Sequence, residues 1–232
     1  MTELSIYSSI GIRSAGEALF RQFERESGHS LAVTWATAPM LVQRIEGGET
    51  ADVLILSRAG IDALHRQGKI APGSAVTLAS SGVAIAVKAG APKPDIATPE
   101  ALRRTLLATK SIAYTEPSAG GASGVYFAKL LERLGIAAAM APKTRHPPHG
   151  GFAAALLLTG DAELAVQQTP ELLHVAGAEI VGPLPGDLNL ITEFAAGIMT
   201  EARNAEAARR LIDSLRTPQA KASLRAKGLD PS

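Results

Sequence analysis

Short apolar runs rich in β-branched residues alternate along this chain with longer stretches whose apolar positions recur at helical spacing. This alternation constrains the fold more than any other feature. Strands separated by helix-length connections cannot pair as hairpins, so they need crossovers, and a largely parallel sheet covered by helices on both faces follows. Leu4–Tyr7, Leu31–Trp35, Asp52–Leu56, Val83–Val87, Ser111–Tyr114, Leu164–Gln167, Glu179–Val181 and Leu190–Ile198 read as strands. Helices are expected at Ala15–Glu26, Pro39–Glu46, Gly60–Gln67, Thr98–Leu107, Gly124–Leu134, Gly150–Thr159, Pro170–Val175 and Ala202–Arg216. Pro39 suits a first helical turn and Gly47-Gly48 its exit, while Thr98 is placed to cap ahead of Pro99. The expected fold class is α/β.

The 232 residues allow one large domain or two small ones, and the 46% hydrophobic and 19% charged content excludes wholesale disorder. Lys plus Arg is 23 and Asp plus Glu is 22, so the basic surplus of a nucleic-acid coat is missing. Aromatics at 4% argue against base-stacking platforms, and the lack of Cys excludes disulfides, thiolate metal sites and Cys nucleophiles. The first residues carry no basic and then apolar leader pattern, and no run is long and apolar enough for a membrane span. As written the chain is expected to be cytoplasmic, or periplasmic if it is a processed mature form.

Two segments read as crossings between lobes: Leu78–Gly82, and the stretch after Leu190 where the chain turns back into strand. This gives a discontinuous lobe of residues 1–82 plus 194–232 and an inserted lobe of residues 83–193, with Ser81-Gly82 and Glu193 near a two-segment hinge. A ligand is then expected in the cleft, at strand C-termini and helix N-termini.

Several loops share one design, a strand followed by small or hydroxyl residues and then a helix. Ser8 and Ser9 follow the first strand, with Arg13 offering a fork suited to a carboxylate; Thr37 follows the second. Ser123 and Gly124 lie in the run Tyr114–Tyr126, which resembles a phosphate loop in composition but lacks the lysine–hydroxyl pair of a nucleotide site. Lys143–Gly151 holds His146 and His149 on a Pro-stiffened loop, without the carboxylate partners of a metal site. Gln167 ends a late strand with an amide donor. Taken singly, each loop reads as an ordinary capped helix with a solvated charge. Together, converging N-termini and hydroxyls surround an anion without a matching cationic surplus. No cofactor and no metal are expected.

At these residues the chain resembles the type II periplasmic-binding-protein superfamily, in its molybdate-binding-protein branch. The resemblance rests on Ile6–Ser9 with the helix after it, Met40–Gly48 followed by Ala51–Ser57, Ser123–Lys129 and Gly160–Gln167. It implies two α/β lobes closing on a small anion, held by Ser8, Ser9, Thr37 and backbone donors near Ser123 and Gly151. The family's late-strand Tyr corresponds to Gln167 here. Losing that Tyr while gaining Arg13 and Gln167 points from molybdate toward a carboxylate. Lys88–Ile96, Lys110–Tyr114, Ser123–Tyr126 and Val181–Pro185 resemble a divergent subgroup that includes proteins similar to aconitate isomerase. That resemblance implies a 1,3-proton shift on a polycarboxylate, with His149 as first candidate base and Glu116 and Tyr114 as alternatives. The isomerase reading is placed ahead of a solute-binding protein that serves an ABC permease, and ahead of a sensing domain without catalysis. No nucleic-acid partner is expected.

Overall fold

The computed structural model describes residues 2–148 and 151–232. In chain order the elements are β1 (Glu3–Ser9), α1 (Arg13–Ser27), β2 (Ser30–Ala36), α2 (Ala38–Glu46), β3 (Val53–Ser57), α3 (Arg58–Arg66), β4 (Val76–Lys88), α4 (Pro99–Ala108), β5 (Ile112–Tyr114) and α5 (Ala122–Arg133). They continue with α6 (Ala137–Met140), β6 (Thr144–Arg145), α7 (Ala155–Thr159), β7 (Leu164–Gln168), α8 (Thr169–Leu173), β8 (Ala178–Pro183), β9 (Ile191–Ile198), α9 (Ala205–Ser214), α10 (Pro218–Ala226) and β10 (Asp230–Pro231). The architecture is α/β, with mixed sheets. The chain divides into two compact units: the N-terminal stretch to Ser80 with Thr192–Ser232, and Ser81–Ile191.

In the first unit the strands run in the order β2-β1-β3-β9, then the start of β4, with β10 on β4. The β1/β2 and β1/β3 pairs are parallel and β3/β9 is antiparallel. Strand alternation explains why β3 reads as an unbroken apolar run. Val53 and Ile55 enter one core with Phe20, Phe23 and Leu211, while Leu54 and Leu56 enter the core on the opposite face with Leu41, Ile45 and Ile61. Trp35 stacks on Phe20 at 5.7 Å between ring centroids, and a Cβ on Gly16 would lie 2.7 Å from its ring. The lone Trp is therefore a packing residue, for which α1 uses a glycine.

In the second unit β7 lies between β4 and β5, β8 pairs the other edge of β4, and β6 lies beyond β5. β5/β7 and β5/β6 are parallel, β4/β7 antiparallel. The two faces differ in side-chain size. Val83, Ile85, Ile112, Tyr114, Leu164 and Val166 fill one core with Phe127 and Leu102, whereas Ala84, Ala86, Ala113 and Ala165 line the other. The small face lets Leu157 of α7 and Leu172 of α8 approach closely from short helices.

The structure adds to the sequence reading in three places. The segment Leu78–Gly82, read as a crossing between lobes, is part of strand β4. The helix expected over Gly150–Thr159 is confined to Ala155–Thr159, because the residues before Ala155 form turns; Gly150 lies outside the described residues. The C-terminal helix α10 and strand β10 were not expected from the sequence.

Candidate functional site

Parallel pairing sets the geometry of the first unit. Ser9 of β1 lies opposite Ala36 of β2, and Ser8 opposite Ile55 of β3, so Ser8-Ser9, Thr37 and Ser57 all emerge at one sheet edge. The start of β9 reaches the same edge, with Phe194 opposite Ser57. A Cβ on Gly11 would stand 2.7 Å from the Phe194 ring, so the loop after β1 needs a glycine to lie down on β9.

The polar groups along this edge are poorly satisfied. Ser8 is fully buried, and its hydroxyl reaches only the Ser9 carbonyl at 3.5 Å. Ser9 Oγ accepts from the Gly11 N–H at 3.4 Å. Thr37 stands at the N-cap of α2 without making a side-chain cap, and its buried Oγ1 has no partner among the described residues. The buried Ser14 Oγ, in the first turn of α1, is in the same condition. Buried hydroxyls normally find partners, so two orphans at one edge are a local departure that a ligand would repair.

In the second unit, Tyr114 lies opposite Val166 and Gln168 opposite Val83, so Thr115, Gln167 and the start of the β4 segment share an edge. Thr115 anchors it. The Gln167 Nε2 donates to Thr115 Oγ1 at 3.1 Å, and Gln167 Oε1 accepts from the Ala153 N–H at 2.7 Å. A Cβ on Gly124 would fall 2.1 Å from the Thr115 carbonyl oxygen, so α5 seats its first turn directly on this loop. Ser123, one residue earlier, is buried. His146 follows β6, and its Nδ1 lies 2.8 Å from the Tyr114 carbonyl oxygen.

The site residues expected from the sequence fare unevenly. Ser8, Ser9 and Thr37 share the edge of the first unit, and Ser123 and Gly124 stand at the N-terminus of α5. Arg13 is the first residue of α1, and its Nε donates to Glu17 Oε1 at 2.7 Å along the same helix, which uses one of its five donors. The Gln167 amide holds Thr115 and the segment at Ala153 instead of standing open as a donor. The Gly151 N–H donates to the Pro148 carbonyl at 2.8 Å, which commits that backbone donor to a turn. Tyr114 is a core residue, edge-on to Phe127 at 5.1 Å, and burial raises its pKa above the usual tyrosine value. Glu116 is half-buried at the start of a short turn of 3-10 helix. His149 lies outside the described residues.

Sequence reasoning missed Ser57 and Glu171, and gave no role to Ser14 or Thr115, although both stood in loops of the shared design. Ser57 showed the same signal as the other loops, a strand ending in a hydroxyl before a helix, and it caps α3 by accepting from the Gly60 N–H at 3.3 Å. Glu171 sits three residues after Gln168, in a capping box. Its carboxylate accepts from the Gln168 N–H at 3.2 Å, and burial pushes its pKa up to about 7.

Helix starts divide into two kinds. Among the helices of nine residues or more, α2 and α5 have neither a side-chain cap nor an acidic residue in the first turn. By contrast α3, α4 and α10 are capped by Ser57, Thr98 and Thr217, and α9 carries Glu206 in its first turn. An uncapped start leaves N–H groups unmatched and the positive end of the helix dipole unopposed. The bare starts of α2 and α5 follow β2 and the loop after β5, whereas α1 continues a 3-10 turn over Ile10–Ile12 that Ser9 caps, with the Arg13 N–H donating to the Ile10 carbonyl. The described residues contain no group of three or more His, Asp or Glu side chains placed to hold a metal ion. No helix among them is long and apolar enough to cross a membrane.

Aconitate isomerase from a Pseudomonas species is 32% identical to this chain over 237 aligned residues, covering all of the chain and 88% of that protein. Molybdate-binding protein ModA of Escherichia coli (strain K12) is 23% identical, covering 94% of the chain and 85% of its own length. The periplasmic molybdate-binding protein of Azotobacter vinelandii superposes with a TM-score of 0.78 at 20% identity, over 97% of this chain and 98% of that one. Residues 4–230 match the family described as bacterial extracellular solute-binding protein. The chain belongs to that family.

Proposed function

We propose that this protein binds a small polycarboxylate anion and moves its C=C bond by a 1,3-proton shift, as an aconitate-isomerase-like enzyme. The observation that carries the anion lies in the first unit: the bare start of α2 with the orphaned hydroxyl of Thr37, and the orphaned hydroxyl of Ser14 in the first turn of α1. Such donors hold negative charge by oriented N–H and O–H groups, without needing a lysine. The polycarboxylate reading draws its support from the relative named aconitate isomerase, which aligns over the whole chain at 32% identity against 23% for the molybdate-binding relative.

The chemistry asks little beyond this donor set. Removing a proton next to a carboxylate spreads negative charge over a dienolate, and fixed N–H groups that already face an anion stabilise that charge without reorganising. A proton carrier then returns the proton at the far allylic carbon. The periplasm, which the family description favours, was one of the two locations expected from the sequence.

A second reading, a solute-binding protein delivering an oxyanion or carboxylate to an ABC permease, is favoured by the likeness to molybdate-binding proteins. Proton NMR of the protein with cis-aconitate, and separately trans-aconitate, in deuterated buffer separates the two. The isomerase reading expects interconversion at catalytic protein levels with deuterium entering the allylic positions. Tight calorimetric binding of molybdate with no turnover of either aconitate would replace it with the transport reading.

A further inference from the structure

Resting on the isomerase reading, the geometry points to His146 as the residue that carries the proton in the 1,3-shift, with its tautomer set by the backbone. β6 pairs with β5 in parallel, Arg145 opposite Ala113, so His146 emerges beside Tyr114 at the strand edge where Thr115 seats the start of α5. Its Nδ1 lies 2.8 Å from the Tyr114 carbonyl oxygen. A carbonyl can only accept, so Nδ1 holds the hydrogen, and in the neutral ring the lone pair falls on Nε2. The ring is also held edge-on to Tyr114, at 4.9 Å and 89°, and Tyr114 is wedged in turn against Phe127. The side chain is nevertheless exposed. A fixed ring with an outward lone pair is what a proton carrier requires.

Tyr114 and the other described histidines suit the task less well. Tyr114 is buried in the core with a raised pKa. His29 lies just before β2, at the opposite edge of its sheet, and His65 is in the last turn of α3. His174 stacks on Phe152 at 4.5 Å. Among the described histidines, only His146 has a ring nitrogen bonded to a backbone carbonyl.

The step balances without any other reactant. Nε2 takes a proton from the methylene carbon beside a carboxylate, and that C–H pair forms the new C=C bond. The pair of the old C=C bond moves to the far carbon through the carboxylate-conjugated system. The imidazolium returns its proton to the far carbon, which restores the neutral ring. Nothing is oxidised or reduced.

The test combines a variant with a measurement on the unaltered protein. His146→Gln is expected to lower the interconversion of cis- and trans-aconitate by ~100-fold or more, the usual scale for losing a proton-transfer group. Calorimetric affinity for tricarballylate, the saturated analogue that cannot react, is expected to stay within about threefold, since the binding donors are untouched. Nitrogen-15 NMR of the unaltered protein, with His146 assigned by its disappearance in the variant, is expected to show the Nδ1–H tautomer. Turnover retained in His146→Gln, or an Nε2–H tautomer in the unaltered protein, overturns the role of His146 and leaves the isomerase reading standing. Tricarballylate binding with no aconitate turnover in the unaltered protein overturns the isomerase reading, and this proposal falls with it.

Discussion

At the scale of single residues, the informative positions are those whose polar atoms lack partners. Thr37 occupies an N-cap, where a Thr side chain ordinarily accepts from the backbone two or three residues on; here it makes no such bond and its buried oxygen is orphaned. Thr37→Val removes a donor that holds nothing in the unliganded protein. Stability by urea unfolding is expected to change by less than ~0.5 kcal/mol, because no intramolecular bond is lost. Affinity for tricarballylate is expected to fall by about 10-fold or more, the value of one hydrogen bond to a charged group. An equal loss of stability and affinity would instead make Thr37 a structural residue. Arg13 shows the reverse case: its Nε already has a partner in Glu17, four residues on along the same helix face.

At the scale of elements, the contrast lies between capped and bare helices. Thr98 Oγ1 accepts from the Ala101 N–H at 3.1 Å and Glu100 sits in the first turn, so α4 satisfies its own N-terminus. Thr98→Ala is expected to cost ~1 kcal/mol in urea unfolding while leaving tricarballylate affinity unchanged, since a lost cap acts on the helix alone. A change in affinity would show that α4 communicates with the ligand. Most strands and helices were legible from hydrophobic period, because a strand buried on both faces reads as a continuous apolar run and an amphipathic helix as a stripe. The elements that escaped notice have no such period. β10 has two residues and takes its place from pairing with Ser80 and Ala79. The first half of β4 carries the polar pair Ser80-Ser81 and read as a linker, although pairing keeps it in the sheet.

At the scale of the whole molecule, burial sets a pH dependence. Glu171 titrates at about 7 in the folded state against an ordinary value of 4.5, because burial disfavours its charge more than the Gln168 N–H supports it. Between these two values the folded protein holds a proton that the unfolded chain has released. Stability therefore falls as pH rises through this window, and the full cost applies above it. Glu171→Gln keeps an acceptor for the Gln168 N–H and removes the charge. The variant is expected to match the parent near pH 5 and to exceed it by about 1–2 kcal/mol at pH 8, measured by urea unfolding, with part of the full linkage lost to the residue's partial exposure. A constant difference across that range would mean that Glu171 titrates normally. Glu163 works in the opposite sense: the backbone N–H of Lys110, first among several contacts, lowers its pKa. Its support is present above the ordinary carboxylate range and is lost as the pH falls through the lowered value.

The sequence by itself determined the α/β class, the order of the main elements and the loops at strand ends, because period, caps and glycine exits act over a few residues. It also marked Ser8, Ser9 and Thr37, whose place at or just past the end of a strand is a local property, and the structure adds that they share one edge, Ser8 and Ser9 as the last residues of β1. Only the tertiary structure decided which polar groups remain available. The Gln167 amide meets Thr115 and Ala153, Gly151 closes a turn on Pro148, and Tyr114 sinks into the core on Phe127. His146 gains a fixed tautomer from a carbonyl 32 residues earlier in the chain. Hydrogen-bond partnership is settled by whichever groups the fold brings within about 3 Å of one another, and distances that short between distant residues exist only once the strands have paired.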